Sequence, residues 1–122
     1  MYAHSLDLDS QGNIWVNYYF GKPERIGVVD ANTGEEYWKY DTSAHIWGSV
    51  LVADGRVYVG IEDGFLVSAP ATKEYDKKNV IETDFGTNVY SSPIAANGVL
   101  YVATFTHLYA ISKTDKAEKP KE

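Results

Sequence analysis

Few residues in this chain could do chemistry, and their spacings can be checked against known needs. The histidines are His4, His45 and His107. No pair has the i, i+4 spacing that sets two imidazoles on one helix face, and none sits among clustered carboxylates, so no metal centre is expected. Asp7, Asp9, Asp54, Glu62 and Asp63 invite a calcium reading, because hard cations want grouped oxygens. The run Asp7-Leu8-Asp9-Ser10-Gln11-Gly12 keeps two acidic positions of a calcium loop. It has Gln11 at the third and Tyr18 at the twelfth, where a bidentate glutamate belongs. These carboxylates read more simply as turn formers. There are 0 cysteines, which removes disulfides, thiolate metal sites and cysteine nucleophiles. No G-x-S-x-G, no H-E-x-x-H and no phosphate-cradling glycine loop occurs. The catalytic set is expected to be empty.

Composition narrows the partners. The 122 residues suffice for one domain, and 17 acidic against 11 basic residues leave a formal net charge of −6. Nucleic acid and anionic membranes reward a basic face, so neither is an expected partner. No apolar run approaches the ~18 residues of a membrane span, and the residues after Met1 are not expected to act as a signal peptide. With 10 tyrosines, 3 tryptophans and 4 phenylalanines, residues 1–113 are expected to fold. Residues 114–122 read as a disordered charged tail.

The elements that position these side chains follow from an internal repeat. Gly12-Asn13-Ile14-Trp15-Val16, Gly55-Arg56-Val57-Tyr58-Val59 and Gly98-Val99-Leu100-Tyr101-Val102 align, with glycines 43 residues apart. Upstream, Ile46-Trp47-Gly48-Ser49-Val50 answers Val89-Tyr90-Ser91-Ser92-Pro93. Downstream, Phe65-Leu66-Val67 answers Leu108-Tyr109-Ala110. Within units the period is two, as Val57, Val59 and Ile61 alternate with Arg56, Tyr58 and Gly60, so the units are strands. Asp54-Gly55 and Asn97-Gly98 are hairpin turns. Inner strands are expected near 46–53 and 88–96.

Four-stranded units repeating every 40–50 residues predict β-propeller blades, which stack because one blade cannot bury both faces. The fold class is therefore all-β: consecutive antiparallel blades near residues 1–43, 44–86 and 87–113, the last lacking its outer strand. Three blades are a partial propeller. The chain is expected to be the C-terminal portion of a longer one, with assembly from copies of itself as the alternative.

Val28-Val29-Asp30-Ala31-Asn32-Thr33-Gly34-Glu35-Glu36-Tyr37-Trp38 resembles the repeat of the PQQ-binding-like β-propeller proteins, Ala-x-Asp-x-x-Thr-Gly-x-x-x-Trp. The group includes quinoprotein alcohol dehydrogenases and an outer-membrane assembly lipoprotein. The resemblance implies that Trp38 docks on the neighbouring blade while Asp30, Thr33 and Gly34 hold the turn. The second unit departs, with Lys73 at the glycine and Lys77 at the tryptophan, which questions the matching contact between blades two and three. Pyrroloquinoline quinone enters as a cofactor by resemblance alone, since the family's cysteines and catalytic aspartate have no counterparts here.

In a propeller the inner strands line the axis. Tyr2, His4 and Ser5, Trp47 and Ser49, and Tyr90, Ser91 and Ser92 are then the ligand or channel candidates. Small serines permitting close approach and aromatics filling the wedge between blades are the structural alternative. His4 and His45 lie near adjacent inner-strand ends, where they are either neighbours or polar rim residues. The expected function is a non-catalytic scaffold binding protein or a small ligand, with loops such as Phe20-Gly21-Lys22-Pro23-Glu24 as contact surfaces. The alternatives are the C-terminal part of a quinone-dependent alcohol or sugar dehydrogenase and an envelope protein-assembly scaffold. The resemblance places the protein in the periplasm or outside the cell.

Overall fold

The computed structural model describes residues 2–19, 25–42 and 44–112. The loop at Phe20–Glu24 and the charged tail lie outside them. Three antiparallel sheets follow one another in the chain. The first holds β1 (Tyr2–Leu8), β2 (Asn13–Tyr19), β3 (Arg25–Asp30) and β4 (Glu36–Asp41). The second holds β5 (Leu51–Ala53), β6 (Arg56–Gly60), β7 (Phe65–Pro70) and β8 (Ile81–Asp84). The third, among the described residues, holds β9 (Ile94–Ala96), β10 (Val99–Ala103) and β11 (Leu108–Ser112). Each strand pairs with its sequence neighbour, giving the meander of a propeller blade. One 3-10 turn, Lys77–Asn79, lies in the polar loop of blade two, where the Asp76 carboxylate accepts from the Lys78 N–H at 2.9 Å.

Turn chemistry sets the registers. Asp54 and Gly55 have φ of +50° and +74°, and Asn97 and Gly98 +52° and +77°, the doubly positive pairs of type I′ hairpins. Blade one turns through a loop one residue longer, in which the Asp9 carboxylate accepts from the N–H groups of Gln11 and Asn13, each at 2.9 Å. The extra residue shifts the inner pairing. Asp7 faces Trp15 in blade one, whereas Leu51 faces Tyr58 and Ile94 faces Tyr101 in the others.

Alternation then gives each blade two working faces. Trp15 of blade one packs with Val57, Val59 and Val67 of blade two, in a core that also takes in Val28, Ile26 and Trp38. Tyr58, on the opposite face of blade two, packs with Leu66, Val89, Val102 and Leu100 at the boundary with blade three. Each boundary therefore sets the aromatic of one blade against the aliphatic pair of the next. The first core is the larger, because an indole fills more of the wedge than a phenol ring.

The inner strands are shorter than their apolar pattern suggests. Residues 46–50 and 89–93 do not join the ladders, which begin at Leu51 and Ile94. Side chains of adjacent blades capture the backbone donors there. Ser5 Oγ accepts from the Val50 N–H at 2.9 Å and Ser92 Oγ from the Ser49 N–H at 2.7 Å. Asp7 Oδ2 accepts from the Val52 N–H at 2.7 Å. Buried backbone groups need partners, and here the neighbouring blade provides them.

Candidate functional site

The starts of β5 and β9 and the turns β6–β7 and β10–β11 meet at one end of the stacked blades. Four rings form a row there. His45 and Trp47 have centroids 5.5 Å apart, Trp47 and Tyr90 6.0 Å, and Tyr90 and Phe105 4.7 Å. The outer three are unusually open for aromatics: Trp47 is 42% exposed, Tyr90 39% and Phe105 63%. Blade stacking causes the row, since Trp47 and Tyr90 hold equivalent positions 43 residues apart.

Polar groups fix the row from behind. The Tyr90 hydroxyl donates to Glu62 Oε1 at 3.0 Å, and Asn88 Nδ2 donates to the Glu62 carbonyl at 2.7 Å. The Glu62 N–H in turn donates to the His45 carbonyl at 2.9 Å. The Glu62 hydrogen bond and partial burial raise the pKa of Tyr90 above the ordinary phenol value. Glu62 and the exposed Asp63 give this end negative charge beside open aromatic faces, which suits cationic and apolar groups.

Of the candidates read from the sequence, Trp47, Ser49, Tyr90 and Ser92 meet at this end. Trp47 and Tyr90 present surface, whereas the hydroxyls of Ser91 and Ser92 are occupied. Ser92 Oγ holds the Ser49 N–H, and Ser91 Oγ donates to the Ala103 carbonyl at 2.7 Å. The side chains of Tyr2 and His4 lie outside the described residues. Phe105 is not among the sequence candidates, and Glu62 reads there as a turn former with a calcium alternative, not as part of a ligand site. The signal was there: the same 43-residue shift relates Glu62 to Phe105, so one turn supplies a carboxylate and its repeat an aromatic. Asp7 and Asp9 bind protein donors, and no group of three His, Cys, Asp or Glu able to hold a metal occurs among the described residues.

The Asp30 motif lies at the outer edge. Its Oδ1 accepts from the N–H groups of Asn32 and Thr33 at 2.8 and 2.9 Å, its Oδ2 from the Tyr37 hydroxyl at 2.6 Å, and Gly34 turns at φ +76°. Trp38 Nε1 donates to the Thr72 carbonyl of blade two at 2.8 Å, and its ring lies 5.2 Å from Tyr75, beside a cleft of about 240 Å³. Lys73, at the glycine position of the second unit, sits 5.3 Å over the Tyr37 ring. No tryptophan serves blade two in this way. Phe85 instead meets Tyr109 of blade three, its ring tilted by 42° with centroids 4.6 Å apart.

The Tyr37 hydroxyl, with the Thr33 and Asn32 amides, lowers the pKa of Asp30 from 3.8 to about 2. A depressed folded-state value means that Asp30 stabilises the fold above pH 3.8, and that this contribution fades as pH falls through 2. Asp30→Asn is expected to lower stability at pH 7 and to flatten its pH dependence between 4 and 2. Urea midpoints measured across that range, in both proteins, test this; parallel pH curves would contradict it.

The family profile for outer membrane protein assembly factor BamB matches residues 10–76. A stretch of 84 residues is 37% identical to the quinoprotein alcohol dehydrogenase PedH of Pseudomonas putida, covering 64% of this chain and 14% of that protein. Among solved structures, BamB from Moraxella catarrhalis superposes with a TM-score of 0.62 at 14% identity, over 90% of this chain and 46% of that one. The computationally designed Ika8 protein gives 0.51 at 12% identity, over 89% and 46%. The chain thus spans less than half the length of each of these relatives. The profile match covers more than half of the sequence, and the three stacked meanders agree with it: the chain belongs to the outer membrane protein assembly factor BamB family of PQQ-type propeller repeats.

Proposed function

We propose that this chain is a non-catalytic part of a β-propeller that binds a protein partner through the row Trp47–Tyr90–Phe105. The observation carrying this reading is the row itself: three exposed rings crossing a blade boundary, backed by Glu62. Aromatics left in water at the rigid end of a scaffold are the anchors that binding hot spots use. With Glu62 and Asp63 beside them, the fitting partner segment carries aromatic and basic side chains. Periplasmic or secreted residence is part of the proposal and follows the family's description as an outer membrane assembly factor.

The second reading, a piece of a quinone-dependent dehydrogenase, is favoured by the likeness to PedH. The residues of the row do not fit that cofactor. Pyrroloquinoline quinone carries three carboxylates, and the charged group bonded to the row is itself a carboxylate, Glu62. Among the described residues no buried side-chain polar atom is left without a partner to receive the quinone's oxygens.

Trp47 is the exposed tryptophan, with Trp15 and Trp38 buried, so its fluorescence reports on the row. An octapeptide of alternating tyrosine and lysine is expected to change the emission saturably. Trp47→Ala should weaken its binding by roughly tenfold or more, measured by calorimetry. A peptide that binds both proteins equally would remove the row from the reading. Saturable quenching by the quinone with calcium, together with dye reduction, would replace the scaffold reading by the dehydrogenase one.

A further inference from the structure

Two hairpin turns of the same type differ in one side-chain group. Asp54-Gly55 of blade two and Asn97-Gly98 of blade three hold equivalent positions, with φ of +50° and +74° in one and +52° and +77° in the other. Blade two carries a carboxylate where blade three carries an amide. Asn97 and Gly98 are both exposed, and nothing lies within 4 Å of a Cβ built on Gly98. The pair Ala96–Val99 closes the turn, and Gly98 lies outside the ladder. An unhindered backbone nitrogen therefore follows a side-chain amide in open solvent.

The other five asparagines lack this combination. The Thr33 N–H after Asn32 donates to Asp30 Oδ1 at 2.9 Å, and the Val80 N–H after Asn79 donates to the Lys77 carbonyl at 3.2 Å. Ile14 and Tyr18, after Asn13 and Asn17, lie inside β2, paired with both β1 and β3. Val89, after Asn88, is fully buried, and Asn88 Nδ2 donates to the Glu62 carbonyl at 2.7 Å. Each of these followers also carries a Cβ that crowds a ring closed between side chain and backbone, which glycine does not.

We propose that Asn97 is a site of spontaneous deamidation, one product of which is the Asp-Gly turn that blade two already has. The Gly98 nitrogen gives up its proton to base and bonds to Asn97 Cγ, and the Cγ–Nδ2 bond breaks with loss of ammonia. Water then opens the cyclic imide, with no change of oxidation state. Breaking N–Cγ leaves aspartate. Breaking the bond from N to the main-chain carbonyl carbon leaves isoaspartate, whose backbone is one methylene longer. Ring closure needs the turn to loosen. β9 is exposed at every residue and joins β10 through three pairs, and so short a hairpin opens at low cost. Aspartate fits the turn, because Asp54 adopts the same φ. Isoaspartate does not keep Ala96 opposite Val99. The turn lies at the end of blade three away from Trp47, so the proposal is independent of partner binding there.

The experiment holds the 122-residue chain at mildly alkaline pH and maps its peptides over time by mass spectrometry, with chromatography to separate aspartate from isoaspartate. The mass gain of an amide turned carboxylate should appear at Asn97 at roughly ten times or more the rate at any other asparagine, and faster as pH rises. Asn97→Asp should keep the native urea midpoint. Protein aged until isoaspartate accumulates should exchange its β9 amides faster than Asn97→Asp does. An Asn97 that stays intact, or that changes no faster than the exposed Asn32, overturns the proposal. A lowered midpoint in Asn97→Asp overturns the equivalence of the two turns. Peptide binding at Trp47 is untouched by these outcomes, so the two readings fail separately.

Discussion

Trp15→Ala is expected to cost about 4 kcal/mol, the largest loss from any single truncation in the chain. Trp15 is fully buried, makes an edge contact with Trp38 at 5.1 Å, and fills the boundary between blades one and two against Val57, Val59 and Val67. Removing the indole leaves a cavity that two facing sheets cannot collapse without sliding past each other. A domain of this size is stable by about 5–15 kcal/mol, so about a quarter to four-fifths of the margin would go. The indole also donates from Nε1 to Asp9 Oδ2 at 3.1 Å. Burial alone would raise the pKa of Asp9. The donors from Asn13, Trp15 and Gln11 outweigh it and leave the net value below 3.8. Trp15→Phe therefore separates the two contributions. It keeps much of the packing, loses the hydrogen bond, and should return part of the Asp9 shift. Urea midpoints give the stabilities, and carboxyl chemical shifts followed by NMR give the pKa. Equal losses in the alanine and phenylalanine variants would show that the hydrogen bond, not the packing, dominates.

Gly48→Ala is expected to be nearly as damaging for a different reason. An added Cβ would lie 2.7 Å from the Ser91 carbonyl carbon and 2.8 Å from the Ser92 nitrogen, both backbone atoms of blade three. No side chain can rotate aside, so the blades must part or the inner segment must shift. Overpacking of this kind costs typically 1–3 kcal/mol and sometimes more, and the rigid neighbours here put the expectation at about 3. Parting the blades also releases the Ser49 N–H from Ser92 Oγ, so hydrogen exchange at Ser49 should accelerate. Gly12→Ala is the control. Nothing lies within 4 Å of its added Cβ, but at φ +83° it should lose roughly 1–2 kcal/mol through backbone strain. A Gly48→Ala protein as stable as native would mean that blades two and three are less closely joined than their backbones indicate.

From the sequence, an isolated partial propeller should associate or unfold weakly, because it leaves a blade face and an edge strand uncovered. The exposed Ile94 and Leu108, together with the exposed Leu6 and Leu8, give that expectation its surfaces.

Much of the fold was legible because it is written locally. Asp54-Gly55 and Asn97-Gly98 demand tight turns whatever surrounds them, and the alternation of Val57 and Val59 with Tyr58 assigns faces within one strand. The 43-residue spacing then requires the same unit three times. Asp30, Thr33, Gly34 and Tyr37 likewise close their turn within a few residues. What the sequence left open depends on the gap between sheets. Residues 46–50 have the apolar character of a strand, yet Ser5 and Ser92 hold their backbone donors from adjacent blades. Ile81, not Lys77, holds the ladder position of Trp38 and is exposed, and Phe85 takes the boundary role through a contact to Tyr109 that no local pattern announces. Trp47, Tyr90 and Phe105 are separate aromatics in the chain, and only stacking makes them one exposed row. Turns and alternation belong to single strands, so the sequence carries them alone. Contacts between blades depend on how two twisted sheets meet, and only the tertiary structure decides that.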